Sequence, residues 1–257
     1  MDSKERFTSR VENYVKYRPG YPAAILDVLT AECGLTPGAF VADVGSGTGL
    51  LARVFLDFGC HVFGIEPNAE MRAAGEHLLA EYRLFNSLDG SAESTCLPTA
   101  SVYFVTAGQA FHWFDPPRAQ EEFRRILKPE GWVALIWNER RLESTPFMRG
   151  YEELLQTYGT DYRETNHRTV EEDEKTIPAF FGGNFRVARF DNVQLFDYEG
   201  VRGRLLSSSY TPEAGHPNHE PMLAELQRLF DHYQQDGKVA FEYDTRMFYG
   251  QLGDFLL

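Results

Sequence analysis

From about residue 39 the chain alternates short apolar runs with amphipathic stretches. The runs "FVADV" (Phe40–Val44), "HVFGI" (His61–Ile65), "SVYFVT" (Ser101–Thr106) and "WVALIW" (Trp132–Trp137) are too short for helices and largely apolar, the pattern of strands buried on both faces. A weaker strand is expected at Tyr82–Asn86. Helix-like segments fall between them, at about 48–58, 68–80 and 116–127. This alternation predicts an α/β fold with a parallel sheet and crossover helices. The last of these helices runs into "KPEGW", where Lys128 is expected in the closing turn and Pro129 and Gly131 to stop the helix.

Beyond Asn138 the pattern changes. "RRLESTPFMRGYEELLQTYGTDY" and the residues to about 185 have mixed polarity, with "FMRGYEELLQTY" helix-like. The stretch reads as an insertion over the functional edge of the sheet. Strands are expected again at 185–199 and 238–252, with a helix near 220–235 between them. The acidic run Glu171–Glu174 reads as a solvated helix start. No repeat or low-complexity linker divides the chain, so one domain over 1–257 is expected, carrying lid insertions at 139–185 and 200–236.

Charge narrows the partners. A formal net charge of -13 over 257 residues repels phosphate backbones and anionic lipid, so neither nucleic acid nor membrane is expected as a partner. Cys33, Cys60 and Cys96 fall in no metal-ligand or disulfide spacing. No metal is expected, and a reducing cytoplasm is the expected location. The opening "MDSKERFTSR" lacks the apolar core of a secretion signal, and no apolar run approaches the roughly 20 residues of a spanning helix.

Candidate chemistry begins in "FVADVGSGTGLLARVF", an apolar strand, a loop with Gly45, Gly47 and Gly49, and an apolar helix. Such glycines permit positive φ and close approach of a ligand to the backbone, and the helix start supplies unpaired N–H groups. A glycine-rich turn between a strand and a helix also occurs without a ligand. The next strand ends in Glu66, placed to accept both hydroxyls of a nucleoside ribose or to join a helix cap with Asn68.

Five ordered segments, "VADVGSGTGLLA", "GIEPNAEM", "GSAESTCLP", "SVYFVTAGQAFHWFD" and "RILKPEGWVALIWN", resemble the class I S-adenosylmethionine-dependent methyltransferases, within them the methyltransferase type 11 group. The resemblance is good over about residues 10–140 and looser through "SSSYTP" and "DGKVAFEYDTRMFYG". It implies a Rossmann-like, doubly wound, mostly parallel seven-stranded sheet whose last strands are antiparallel. A nicotinamide-dependent oxidoreductase is the competing enzyme, but the third glycine of its fingerprint would fall at Leu50. A methyltransferase-fold module that binds without chemistry is the third reading.

By resemblance, the backbone of Gly45, Ser46, Gly47 and Gly49 lies against the methionine part of the cofactor, with Asp43 near its amino group. Glu66 holds the ribose hydroxyls, and Pro67 and Met71 lie near the adenine. Ser91 stands where the family commonly has an acid bonding the adenine amine, so the Ser91 hydroxyl or Glu93 is expected there, beside the Ala92 N–H. Gln109 and Ala110 contact the cofactor, and His112 is the candidate base or substrate-orienting group, or a packing residue under the lid. Trp113 and Phe114 are expected as walls and Asp115 as a helix cap before Pro116. Tyr14 and Arg18, in a segment that folds over the cofactor in similar proteins, complete the candidates.

The implied reaction is direct in-line transfer to a small-molecule acceptor without a metal, giving S-adenosylhomocysteine, by a monomer or homodimer. Methyltransferases resembling "QAFHWFD" include enzymes acting on small carboxylic acids such as trans-aconitate, and Arg140, Arg141, Arg149, Arg163, Arg168, Arg202 and Arg204 are candidates to clamp such an acid. The same group holds carbon-methylating enzymes of quinone biosynthesis. The Asn/Asp-Pro-Pro-Tyr/Phe motif of nucleic-acid amine methylation is missing after the fourth strand.

Overall fold

The computed structural model describes residues 17–160, 162, 175–208 and 210–253. The elements run α1 (Ala24–Cys33), β1 (Phe40–Val44), α2 (Leu50–Phe58), β2 (His61–Ile65), α3 (Ala69–Leu78), β3 (Phe85–Leu88), β4 (Val102–Gly108), α4 (Pro116–Ile126) and β5 (Leu127–Arg140). They continue with α5 (Pro146–Tyr158), β6 (Arg186–Phe196), α6 (Tyr198–Leu206), α7 (His219–Tyr233) and β7 (Val239–Gly250). The seven strands lie in the order β3-β2-β1-β4-β5-β7-β6. Pairing is parallel from β3 through β5, and the last strands are antiparallel, as expected.

Strand order reverses between β1 and β4, because the chain lays β2 and β3 on one side of β1 before crossing back. A crevice opens outside the carboxyl ends of strands at such a switch point. Here the two loops that meet there are Gly45–Gly49 after β1 and the turn after β4.

The chain divides into two compact units. One is Gly20–Asn138, Glu171–Phe190 and Thr245–Leu257; the other is Met1–Pro19, Glu139–Val170 and Asp191–Asp244. In the first, β5 shows why the apolar runs are continuous. Val133, Leu135 and Trp137 join one core, with Val44, Val105 and Phe123, while Ala134 and Ile136 join another, with Ile25, Phe55 and Phe104. Both sheet faces are thus covered. Phe55 and Phe123 are fully buried, each contributing about 1.5–3 kcal/mol of transfer free energy. The second unit has its own core around Met148, Leu155, Leu226 and Phe241.

Several boundaries depart from the sequence reading. The strand expected at Tyr82–Asn86 lies at Phe85–Leu88, since Tyr82 is drawn into the preceding turn, with its N–H on the Leu79 carbonyl and its hydroxyl on Asp57 at 2.5 Å. Lys128 is not in a helix turn: α4 ends at Ile126, and Lys128 belongs to β5, its ammonium 4.2 Å from the centre of the Tyr103 ring. Residues 198–199, read as strand, start α6 because the Asp197 carboxylate accepts from the Gly200 N–H at 2.8 Å. Helix α1, closed by left-handed Gly34, was not anticipated. The acidic run Glu171–Glu174 lies outside the described residues.

Candidate functional site

The loop after β1 is a turn that only glycine adopts readily. Gly45, Gly47 and Gly49 have φ of 67°, 56° and 82°. The Gly45 and Ser46 N–H groups both donate to the Ile65 carbonyl, at 2.8 and 3.1 Å, which pins the loop to the end of β2. A Cβ on Gly45 would lie 2.6 Å from the Ala110 Cβ, and one on Gly47 would stand 3.4 Å from the Met71 Cε. The turns after β1 and β4 are therefore in contact through a missing side chain. Gly45→Ala should cost about 1–3 kcal/mol through a strained φ and this clash. Chemical denaturation would check it; an unchanged midpoint would mean that the loop yields freely.

Glu66 is buried at 9% exposure at the end of β2 and spans both sides of the crevice floor. Its Oε2 accepts from the Gly47 N–H and its Oε1 from the Asn68 N–H, each at 2.9 Å. Asn68 in turn caps α3, its Oδ1 accepting from the Glu70 and Met71 N–H groups at 3.0 Å. The cap-network reading of this position is thus seen directly, since one carboxylate joins the glycine loop to the cap of α3. Each carboxylate oxygen retains acceptor capacity for a further donor. Pro67 is exposed, and its carbonyl and that of Glu66 accept from Arg72.

Asp43 lies in β1, 1% exposed, with Thr106 Oγ1 donating to its Oδ1 at 3.1 Å. Its Oδ2 is buried and meets no hydrogen-bond partner among the described residues. Burial, only partly offset by the Thr106 bond and the Ala52 backbone and reinforced by the Glu66 charge, pushes this carboxyl up to about 7.

After β4, Gln109 takes a left-handed φ of 54°, its N–H donating to the Ile136 carbonyl at 2.9 Å and its Nε2 to the Asn138 carbonyl at 3.0 Å. Ala110 is buried against the glycine loop, and a 3-10 turn, Phe111–Trp113, follows. Phe111 joins the core with Trp137 and Phe180. His112 is half-buried, its Nδ1 buried without a partner among the described residues, and burial lowers its pKa, so the ring is neutral at neutral pH. Trp113 departs from its expected role as a wall: it is 81% exposed, because a three-residue turn sends successive side chains in different directions. Phe114 packs on Phe111 and Phe123. Asp115 caps α4, accepting from the Arg118 N–H at 3.3 Å.

The remaining candidates scatter. Ser91 forms an isolated bridge with Ser94, Ala92 is buried, and Glu93 accepts from the Asp115 N–H at 2.8 Å, which ties "GSAES" to the turn after β4. Burial raises the Glu93 pKa, but this bond and the Ser91 hydroxyl outweigh it and hold the carboxyl below its usual range. Arg18 belongs to the second unit, where its carbonyl accepts from Gln194 at 3.1 Å. Tyr14, Arg163 and Arg168 lie outside the described residues. Of the other arginines, Arg141 is taken up by Asp191 and Asp244, and Arg202 reaches Glu199 at 4.0 Å.

Two residues not chosen from the sequence line the same strand ends. The Tyr21 hydroxyl lies over Gly108, on the space a Cβ would fill. Asn138, 8% exposed at the end of the apolar run of β5, donates through Nδ2 to the Gly20 carbonyl at 3.2 Å and accepts from Thr245 at 2.5 Å. A polar residue ending an apolar strand was the available signal for Asn138.

A glycine loop on a buried carboxylate at the switch point of a doubly wound sheet is the arrangement of the Rossmann-like nucleotide-binding folds, methyltransferases among them. Residues 42–135 match the type 11 family, described as "Methyltransferase domain". An uncharacterised methyltransferase from Mycobacterium tuberculosis is 36% identical over 143 residues, 54% of this chain and 54% of the relative. The chain thus spans about half the length of the mycobacterial relatives it matches. An uncharacterised methyltransferase from Schizosaccharomyces pombe is 26% identical over 224 residues, 87% of this chain and 86% of the relative. In fold, a solved structure from Anaeromyxobacter dehalogenans, described as an inferred type II methyltransferase, aligns with a TM-score of 0.71 at 19% identity over 92% of this chain and 98% of that one. An inferred methyltransferase of an antibiotic biosynthesis pathway from Anabaena variabilis aligns with a TM-score of 0.62 at 20% identity, covering 92% of this chain and 99% of that one. Over residues 42–135 the chain is thus similar to the methyltransferase domain of the type 11 group. Among its described residues no helix is long and apolar enough to cross a membrane.

Proposed function

We propose that the chain transfers the methyl group of S-adenosylmethionine to a small-molecule acceptor. The observation that supports this best is the cradle at the ends of β1 and β2: a loop with glycine at alternate positions, tied to the buried Glu66 carboxylate, beside an Asp43 oxygen that meets no hydrogen-bond partner among the described residues. These residues fit the cofactor. The backbone of Gly45–Gly49 and Asp43 would hold its methionine part, Glu66 its ribose, and Pro67, Met71 and the segment Ser91–Glu93 its adenine, with Gln109 and Ala110 along the side. When bound, the cofactor supplies a methyl carbon already activated by the sulfonium. The chain's task is then to orient an acceptor and keep water out.

His112 is the candidate for moving a proton. Its neutral ring and partnerless Nδ1 suit it to accept one from an acceptor group. His112→Ala should lower kcat by about a hundredfold, while leaving cofactor affinity within about twofold. Steady-state kinetics with calorimetry separate the two, and unchanged turnover would make His112 a packing residue. The segments 139–185 and 200–236 are proposed to select the acceptor, in a cytoplasmic enzyme.

Calorimetric titration tests the reading directly. Binding of S-adenosylmethionine with no response to NAD is expected. No S-adenosylmethionine binding would overturn it, and NAD binding would favour an oxidoreductase. Screening methyl transfer to acids, phenols and amines separates an enzyme from a silent binding module.

A further inference from the structure

Among its described residues, the second unit holds a buried polar centre with donors that meet no acceptor. Arg140, at the end of β5 with its side chain 11% exposed, donates to Glu152 Oε2 at 2.5 Å and to the Tyr162 hydroxyl at 2.8 Å. Tyr162 donates to the same Glu152 oxygen at 2.6 Å, and Gln156 donates to the other at 2.9 Å. Glu152 is therefore committed.

Arg204 in α6 has no such counter-ion. It is 6% exposed, and among the described residues no carboxylate lies within ion-pair distance. Among the described residues its guanidinium donates to the Ser208 hydroxyl at 3.1 Å and, weakly, to the Tyr243 hydroxyl at 3.5 Å. Between the arginines, Tyr151 is 1% exposed, with the Arg140 guanidinium carbon 5.3 Å from its ring centre. The Tyr151 hydroxyl and Arg140 Nη1 are both buried without a hydrogen-bond partner among the described residues. Burial holds the Tyr151 hydroxyl protonated and thus a donor.

Tyr151 lies within electrostatic reach of both guanidiniums, and among the described residues only Arg140 has a carboxylate partner, so the buried Arg204 charge is costly unless an anion completes it. A planar guanidinium pairs with a carboxylate through two parallel N–H donors, and tyrosine hydroxyls add donors to the same group. We propose that Arg204, with Arg140 Nη1 and the Tyr151 hydroxyl, binds one carboxylate of a small organic acid. A single carboxylate matches the single excess charge, whereas a phosphate dianion exceeds it. The binding stands apart from the methyl-transfer reading.

Calorimetry on the full chain, with propionate, succinate and inorganic phosphate as probes, tests the site. A carboxylate probe should bind more tightly than phosphate. Arg204→Gln and Tyr151→Phe should each weaken it by about tenfold, while S-adenosylmethionine affinity stays within about twofold. Tyr151→Phe keeps the ring and its packing, so it remains informative if Arg204→Gln fails to fold, which circular dichroism would show. Failure of both carboxylates to bind, binding indifferent to the variants, or phosphate binding as tightly as either acid would each overturn the proposal. Failure of S-adenosylmethionine to bind while an acid still does would instead overturn the methyl-transfer reading and leave this site standing.

Discussion

Glu66→Ala is expected to weaken S-adenosylmethionine binding by about tenfold or more and to destabilise the cofactor-free protein by about 2–4 kcal/mol. The two effects have separate origins. In the free protein the carboxylate holds the Gly47 and Asn68 N–H groups at 2.9 Å, so its removal strands two partly buried backbone donors. With cofactor present, the same oxygens lose their remaining acceptor capacity for the ribose hydroxyls. Glu66→Gln separates these contributions, since its one carbonyl oxygen still satisfies one of the two N–H groups; it should show an intermediate loss of stability and nearly the full loss of affinity. Denaturation without cofactor and calorimetry with it give the two quantities. An alanine variant that is destabilised yet binds S-adenosylmethionine as tightly as the parent would make Glu66 a loop scaffold only.

What the sequence showed of this site was local or periodic. The glycine loop was legible because positive φ at Gly45, Gly47 and Gly49 leaves a residue-type signature, and the strands were legible because burial on both faces writes apolar runs. The direction of a side chain in an irregular turn leaves no such mark. Phe111 and Trp113 are both large aromatics two residues apart, yet one fills the core and the other is 81% exposed. Long-range pairing was equally silent: Asn138 meets residues 118 and 107 positions away, and no spacing rule points to either. The arginines show the same limit. Arg141 and Arg204 read alike in sequence, but Arg141 is taken up by acids on β6 and β7, whereas Arg204 is buried among hydroxyls.

Asp43 should make the protein respond to pH in opposite senses with and without cofactor. Its carboxyl is raised to about 7 in the fold, first by burial, while an unfolded chain ionises it in the ordinary carboxylate range. Below about pH 4 both states hold the proton, and this group favours neither. As pH rises from about 4 to 7 the unfolded chain releases the proton and the fold retains it, so stability falls by about 4 kcal/mol in all and then levels off. Asp43→Asn should remove this slope and leave the cofactor-free protein more stable than the parent at pH 8. Binding runs the other way. A cationic amino group beside Asp43 favours the ionised carboxylate, so affinity for S-adenosylmethionine should rise by about tenfold between pH 6 and 8. The Asn variant should bind weakly and with little pH dependence across that range. Denaturation midpoints and calorimetric affinities over pH 4–8 measure both arms, and a parent whose affinity is flat from pH 6 to 8 would remove Asp43 from the cofactor's electrostatics.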